Sequence, residues 1–278
     1  MSEQNQQEKN IPAASAGNPF QAPAAHVEDV RNDGDGALLD EPNRVTAGQG
    51  SAWWSGGWGL FREATGLWIG ISVAFIVVTV LLSKIPIVGS LTNSLLMPVL
   101  SGGLMLGCRS LDSGEGLSFD HLFSGFRKNT GQLVLIGVLY LVGIVVIVLG
   151  ILLLLFAGGM GAALKGGADM KAAMGGGNVL IIMFGMLVGM VLFIPLAMAN
   201  WFAPALVVFH NLSAMEAMKL SLKGCWRNNV PFLVYGIVGV FLAIAASIPI
   251  FLGWLLLAPT MICANYVAYR EIFVAQEQ

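Results

Sequence analysis

Four side chains stand out for what they could do inside a membrane. They are Asn93, Asn200, His210 and Asn265, each set in a long apolar run. An amide or imidazole in such a setting either hydrogen-bonds across a helix contact or lines a polar path. No second titratable group is spaced to act with His210, so structural hydrogen bonding is the stronger reading for all four. The other histidines, His26 and His121, lie in different regions, and no spacing builds a metal site from them. Cys108, Cys225 and Cys263 are far apart along the chain, without a C-x-x-C pair, and read as small semi-buried side chains. Phosphate-binding glycine loops, nucleophile elbows, dinucleotide fingerprints and zinc-protease helices do not occur. No catalytic residue, cofactor-binding residue or metal ligand is therefore assigned. The expectation is a protein that is not an enzyme and carries no cofactor.

The elements that must position these residues follow from composition. Charged residues are 11% of the 278 and apolar ones 56%, and the mean hydropathy is +0.77. Soluble domains are about 25% charged, so the fold class expected is all-α, a polytopic membrane helix bundle. A helix needs about 20 apolar residues to cross the hydrocarbon core. Six runs qualify, at 67–82, 91–108, 133–156, 179–209, 232–248 and 254–269. The fourth is too long for one simple crossing, and Pro195 and Pro204 inside it predict a kink or an end beyond the bilayer. A turn at SIPIFLG separates the last two. Residues 1–45, rich in Gln, Asn, Ala, Pro and Gly, read as a disordered tail, and the opening MSEQNQQEKN lacks the basic start of a cleaved signal peptide. Residues 158–178 read as a glycine-rich loop. The net charge of −2 and the absence of a basic cluster argue against nucleic acid as a partner.

Basic residues set the expected orientation. Arg44, Arg62, Arg109, Arg127, Lys128, Lys219, Lys223, Arg227 and Arg270 fall on one side, and only Lys84, Lys165 and Lys171 on the other. Both termini should then be cytoplasmic and the glycine-rich loop periplasmic. The chain also repeats itself. GLFREATGLW, SGFRKNTGQL and GCWRNNVPFL each place an aromatic before an arginine, ahead of an apolar run. Three units at about 50–110, 117–210 and 213–273 are expected, each an interfacial amphipathic helix followed by a hairpin. The pairs Phe61-Arg62, Phe126-Arg127 and Trp226-Arg227 would anchor these helices in the headgroup layer. Ser118 is the expected N-cap of the second interfacial helix, and Ser213 with Glu216 fits a capping box for the third.

WFAPALVVFHNLSAMEAMKLSLKGCWRNNVPFLVYG, FDHLFSGFRKN, GWGLFREATGLW and the closing P-x10-R-E-I-F carry a resemblance over about residues 50–273. The chain resembles an uncharacterised proteobacterial family of six-helix inner-membrane proteins. It is more distantly similar to the membrane domain attached to some glycerophosphodiester phosphodiesterases. The resemblance implies an inner-membrane location and brings no active-site residues. Membrane lipids and other envelope proteins are the expected partners, and the leading functional expectation is an envelope scaffold or interaction protein. The alternative is a channel or facilitator for a lipid or small solute, lined by Asn93, Asn200, His210 and Asn265. Convergence of those four on one cavity would favour the alternative.

Overall fold

The computed structural model describes residues 36–85, 88–156 and 176–275. The expected tail up to residue 35, and most of the glycine-rich loop (157–175), lie outside the described residues. Ten helices are described: α1 (Gln49–Glu63), α2 (Thr65–Ser83), α3 (Val88–Asp112), α4 (His121–Ser124), α5 (Thr130–Leu155), α6 (Gly176–Trp201), α7 (Ala203–His210), α8 (Ala214–Arg227), α9 (Asn229–Ser247) and α10 (Trp254–Phe273). No strand occurs among the described residues; a single antiparallel bridge joins Leu38 to Val274.

Four stretches are long and apolar enough to cross a membrane: Leu91–Asp112, Thr130–Leu154, Val179–His210 and Asn229–Ser247. Gln49–Glu63 and Thr65–Leu81 make a fifth if the pair, bent by 98°, is counted as one span. The structure therefore supports four or five crossings where six were expected. The difference falls on α10, whose second half carries Asn265, Arg270 and Glu271 and dilutes its apolar character, and at a count of four also on α2, which enters only through the bent pair.

The long fourth run behaves as its prolines require. Pro195 is accommodated inside α6, whereas the helix breaks at Phe202 and restarts with Pro204 in the first turn of α7. Proline lacks the N–H that would continue the ladder, and its fixed φ suits a helix start. Every residue of α7 is buried, from Ala203 to His210. The turn between α9 and α10 falls at SIPIFLG as expected, with Ile250 and Phe251 in the left-handed region at φ 52° and 61°.

Large buried side chains concentrate where the short helices gather. Trp53, Phe61, Trp68, Leu122, Phe202, Phe209, Tyr266, Tyr269 and Phe273 are all essentially inaccessible. In contrast, Leu149 and Leu153 of α5, Leu180 and Met186 of α6, and Ile237 and Phe241 of α9 are exposed. Such a surface would aggregate in water and suits lipid. The best-packed part of the molecule is thus a platform of α1, α4, α7, α8 and the C-terminal halves of α3 and α10, while the remaining helix lengths present an apolar exterior.

Close backbone approach joins the platform. A Cβ at Gly57 of α1 would lie 2.5 Å from the Ala264 nitrogen of α10, and one at Gly103 of α3 would lie 2.4 Å from the His121 carbonyl oxygen. The Gly103/Gly107 pair, spaced for close helix contact, is thus used within the chain against the segment around α4. Ser213 and Glu216 form the expected capping box of α8. Ser118 does not cap α4. Asp120 holds that position, and the Ser118 N–H instead donates to Nδ1 of His121 at 3.0 Å.

Residues 36–45, assigned to the tail by composition, are ordered against the platform. Leu39 N–H donates to the Phe273 carbonyl (2.9 Å) and Asn43 N–H to that of Ile272 (2.7 Å). Asn228, at the junction of α8 and α9, completes the attachment. Its Nδ2 donates to the Asn43 carbonyl at 2.8 Å and its Oδ1 accepts from Val45 N–H at 2.9 Å. Asn228 is buried, so Asn228→Ala leaves polar groups unpaired and is expected to destabilise the fold by about 1–3 kcal/mol. A lowered melting temperature in detergent, with faster proteolysis near residues 36–45, is the expected observation; unchanged melting would contradict this role.

Candidate functional site

Asn200 and Asn265 meet at one cavity. A cleft of about 450 Å³ lies between α3, α5, α6, α7 and α10, with Ser101, Tyr140, Asn200 and Asn265 as its polar lining and Pro98 and Pro204 among its apolar walls. The amide oxygens of both asparagines are buried and have no hydrogen-bond partner among the described residues. A second cavity, also about 450 Å³, is lined by Trp54, Met198, Cys225, Phe232, Tyr235 and other mainly apolar residues of α6, α9 and α10. The two cavities share Phe193, Ala197, Trp201 and Met261 as a common wall.

The other two intramembrane candidates do not join this cleft. His210 ends α7 inside the platform, where its Nε2 and the Tyr269 hydroxyl share a 2.5 Å hydrogen bond. Asn93 lies on α3 ahead of the cleft-lining Met97, and its amide oxygen is buried without a partner among the described residues. Convergence is therefore of two of the four residues. Neither carboxylate nor cation lines the cleft, so its chemistry is hydrogen bonding by amides and hydroxyls.

The aromatic–arginine pairs separate in a similar way. Phe61 is buried at 1% exposure, because α1 packs on α10 with that face inward; it is a core residue, not an interfacial ring. Phe126 and Trp226 are exposed at 42% and 67%. Arg62 and Arg127 are exposed. Arg227 pairs with Glu41 at 2.9 Å, and Lys223 reaches the other oxygen of the same carboxylate at 2.9 Å. Arg270, near the end of α10, is ion-paired with Asp112, and the Tyr266 hydroxyl donates to the same Asp112 oxygen at 3.1 Å. The Arg109 guanidinium sits over the Phe209 ring, 5.9 Å from its centroid.

Several residues in this network carried no sequence signal. Glu271 accepts from Trp53 Nε1 at 2.7 Å and Gln49 Nε2 at 3.3 Å. Asn129 and Asn211 both adopt positive φ, and Asn129 Nδ2 donates to Asn211 Oδ1 (2.6 Å) and to the Val207 carbonyl (3.1 Å), joining the start of α5 to the end of α7. Asparagine tolerates that conformation better than most residues, which is the one hint that the sequence offered. The three cysteines are buried, and Cys108 and Cys263, 155 residues apart, bring their sulfurs to 3.7 Å. Burial pushes the Cys225 thiol up to about 12, which keeps it protonated and unreactive at neutral pH.

Apolar helices of spanning length, an apolar exterior and a polar network gathered in a platform define an integral α-helical membrane protein. The chain is 28% identical over 274 residues to a probable inner membrane protein of Burkholderia thailandensis, covering 84% of this chain and 94% of the relative. That similarity agrees with a place in a bacterial inner membrane. No family model and no solved structure matches the chain, so the distant likeness to phosphodiesterase membrane domains gains no support.

Hydrogen bonds from Lys223, and then from Arg227, hold the Glu41 carboxyl below its ordinary value of 4.5. A depressed carboxylate contributes stability above that value and loses it as pH falls through the lower folded value. The difference in melting temperature between the wild type and Glu41→Gln is therefore expected to be present at neutral pH and to shrink below about pH 4.5. The pair is solvent-exposed, so the difference should be small and should diminish in high salt. A difference that persists at acid pH would assign the effect to something other than this ion pair.

Proposed function

We propose that the protein is a non-enzymatic scaffold or interaction protein of the inner membrane, whose working surface is the platform. The observation that carries this reading is the placement of dense packing. The ordered 36–45 segment, the capping box of α8, the Asp112–Arg270 pair and the fully buried α7 all belong to the platform, and Arg62, Arg127, Lys219 and Trp226, in or beside its elements, are exposed. Exposed basic and aromatic groups suit lipid phosphates and acidic partner surfaces. A photo-crosslinking residue at Lys219 or Trp226 in living cells should give discrete adducts with an envelope protein, whereas one at Leu153 should give lipid adducts only. Lipid adducts alone from every position would overturn the interaction reading.

The fuller topology belongs to the same proposal. It consists of six crossings in three units, with both termini and the platform cytoplasmic. The 98° bend between α1 and α2 supports an interfacial helix leading into a span, and α10, at 20 residues, has the length of one. A reporter active only in the periplasm should work when fused within residues 160–175 and be silent after Gln278; the reverse pattern would overturn this orientation.

The facilitator reading draws on the shared cleft of Asn200 and Asn265. Since His210 is engaged by Tyr269 and Asn93 lies off its wall, the cleft supports binding better than a continuous polar path.

A further inference from the structure

α10 carries more polar character than a span needs. Pro259 lies in its middle and removes the N–H that would pair with the Leu255 carbonyl, and Asn265, Tyr266, Tyr269, Arg270 and Glu271 follow. Alone in lipid, such groups are costly unless partnered. In the structure the polar end of α10 is met by groups from far earlier in the chain. Glu271 accepts from Trp53 Nε1 (2.7 Å) and Gln49 Nε2 (3.3 Å) of α1. Arg270 and the Tyr266 hydroxyl both reach Asp112 at the end of α3, and Tyr269 is bonded to His210 of α7. The helix end is completed in the same way. The last carbonyls of an α-helix have no partner within it. Asn43 Nδ2 donates to the Glu271 carbonyl (3.3 Å), Asn43 N–H to that of Ile272 (2.7 Å) and Leu39 N–H to that of Phe273 (2.9 Å). Residues 36–45 are thus a strap that caps α10. Beside it, α1 approaches through two glycines: a Cβ at Gly57 would lie 2.5 Å from the Ala264 nitrogen, and one at Gly56 3.3 Å from Val267 Cγ1.

We propose that the strap and α1 form a template that receives α10 and holds it as the last span, so that its crossing depends on residues 36–63 more than on its own apolar character. The inference rests on the six-crossing topology and not on the scaffold role. In lipid, close packing and polar bonds between helices supply what apolar burial does not. Gly57 provides the first and the bonds to Glu271 the second. The strap adds the donors that the last turn of α10 lacks, since its own cap residue, Val274, returns one N–H, to the Arg270 carbonyl at 3.2 Å. The template precedes the first span in the chain, so it is synthesised before the helix it receives. The C-terminus is therefore kept on the platform side only while the template is intact.

The test uses the full-length chain in cells, with a reporter active only in the periplasm fused after Gln278 and its activity counted per membrane-inserted molecule. The wild type is expected to be silent. Gly57→Leu separates α1 from α10, and Leu39→Pro removes the donor to the Phe273 carbonyl. Each should raise activity, the first by about tenfold, because α10 then fails to cross and leaves the C-terminus outside. Gly59→Leu is the control. A Cβ there meets nothing within 4 Å, and the reporter should stay silent. Adding Asn265→Leu to Gly57→Leu makes α10 more apolar and should silence the reporter again, which general misfolding of the platform would not allow. A reporter as silent in Gly57→Leu or Leu39→Pro as in the wild type, activity in Gly59→Leu, or activity that Asn265→Leu does not reduce overturns the template. If Gly57→Leu is not recovered from the membrane, Leu39→Pro decides alone. An active reporter on the wild type overturns the six-crossing topology and the template with it, and is distinguished by needing no variant.

Discussion

Lipid tails are as apolar as leucine, so apolar helix faces gain little by leaving lipid for one another. A membrane protein must therefore hold its helices together by close shape and by polar bonds, and both work best where the chain leaves the hydrocarbon. In this protein they are concentrated there. Gly57 brings α1 against α10 at backbone distance, and Trp53 joins the two helices again through Glu271. Phe202, Phe209, Tyr269 and Phe273 form linked ring contacts, with centroids 5.1–6.0 Å apart, around the buried α7. Away from the platform, the side chains of α5, α6 and α9 face outward and the helices stand far enough apart to leave cavities.

The prolines connect these two regimes. Pro204 ends α6 and starts α7, so that one apolar run supplies a lipid-facing helix and then the most buried helix of the platform. The break lies beside Asn200 and places Pro204 on the cleft wall together with Pro98 of α3. The cleft therefore lies at the junction between the packed platform and the loosely packed spans. A pocket is structurally tolerable there because the platform holds the helices from one end.

The carboxylates of the platform serve attachment. Glu41, Asp112 and Glu271 each accept from two groups, and each ties together segments more than 150 residues apart. The exposed Glu41 cluster adds little energy by itself. Its contribution is geometric, since it aligns the 36–45 segment for the backbone bonds to Ile272 and Phe273.

The local features of the chain were readable without coordinates because they depend on neighbours in sequence. The apolar spans follow from composition, the α8 capping box from Ser213 and Glu216 three residues apart, the α6–α7 break from Pro204, and the final turn from SIPIFLG. Tertiary structure decided what depends on residues brought together from afar. It ordered residues 36–45 through Asn228 and the end of α10, turned Phe61 inward, and paired Arg270 with Asp112. It also gathered Asn200 and Asn265 at one cleft while sending His210 to Tyr269. All four polar residues look alike in sequence, each a hydrogen-bonding group in or at the edge of an apolar run. Which of them meet depends on the rotation of each helix about its axis, and in lipid that rotation is set by packing contacts between distant segments, not by the pattern along any one of them.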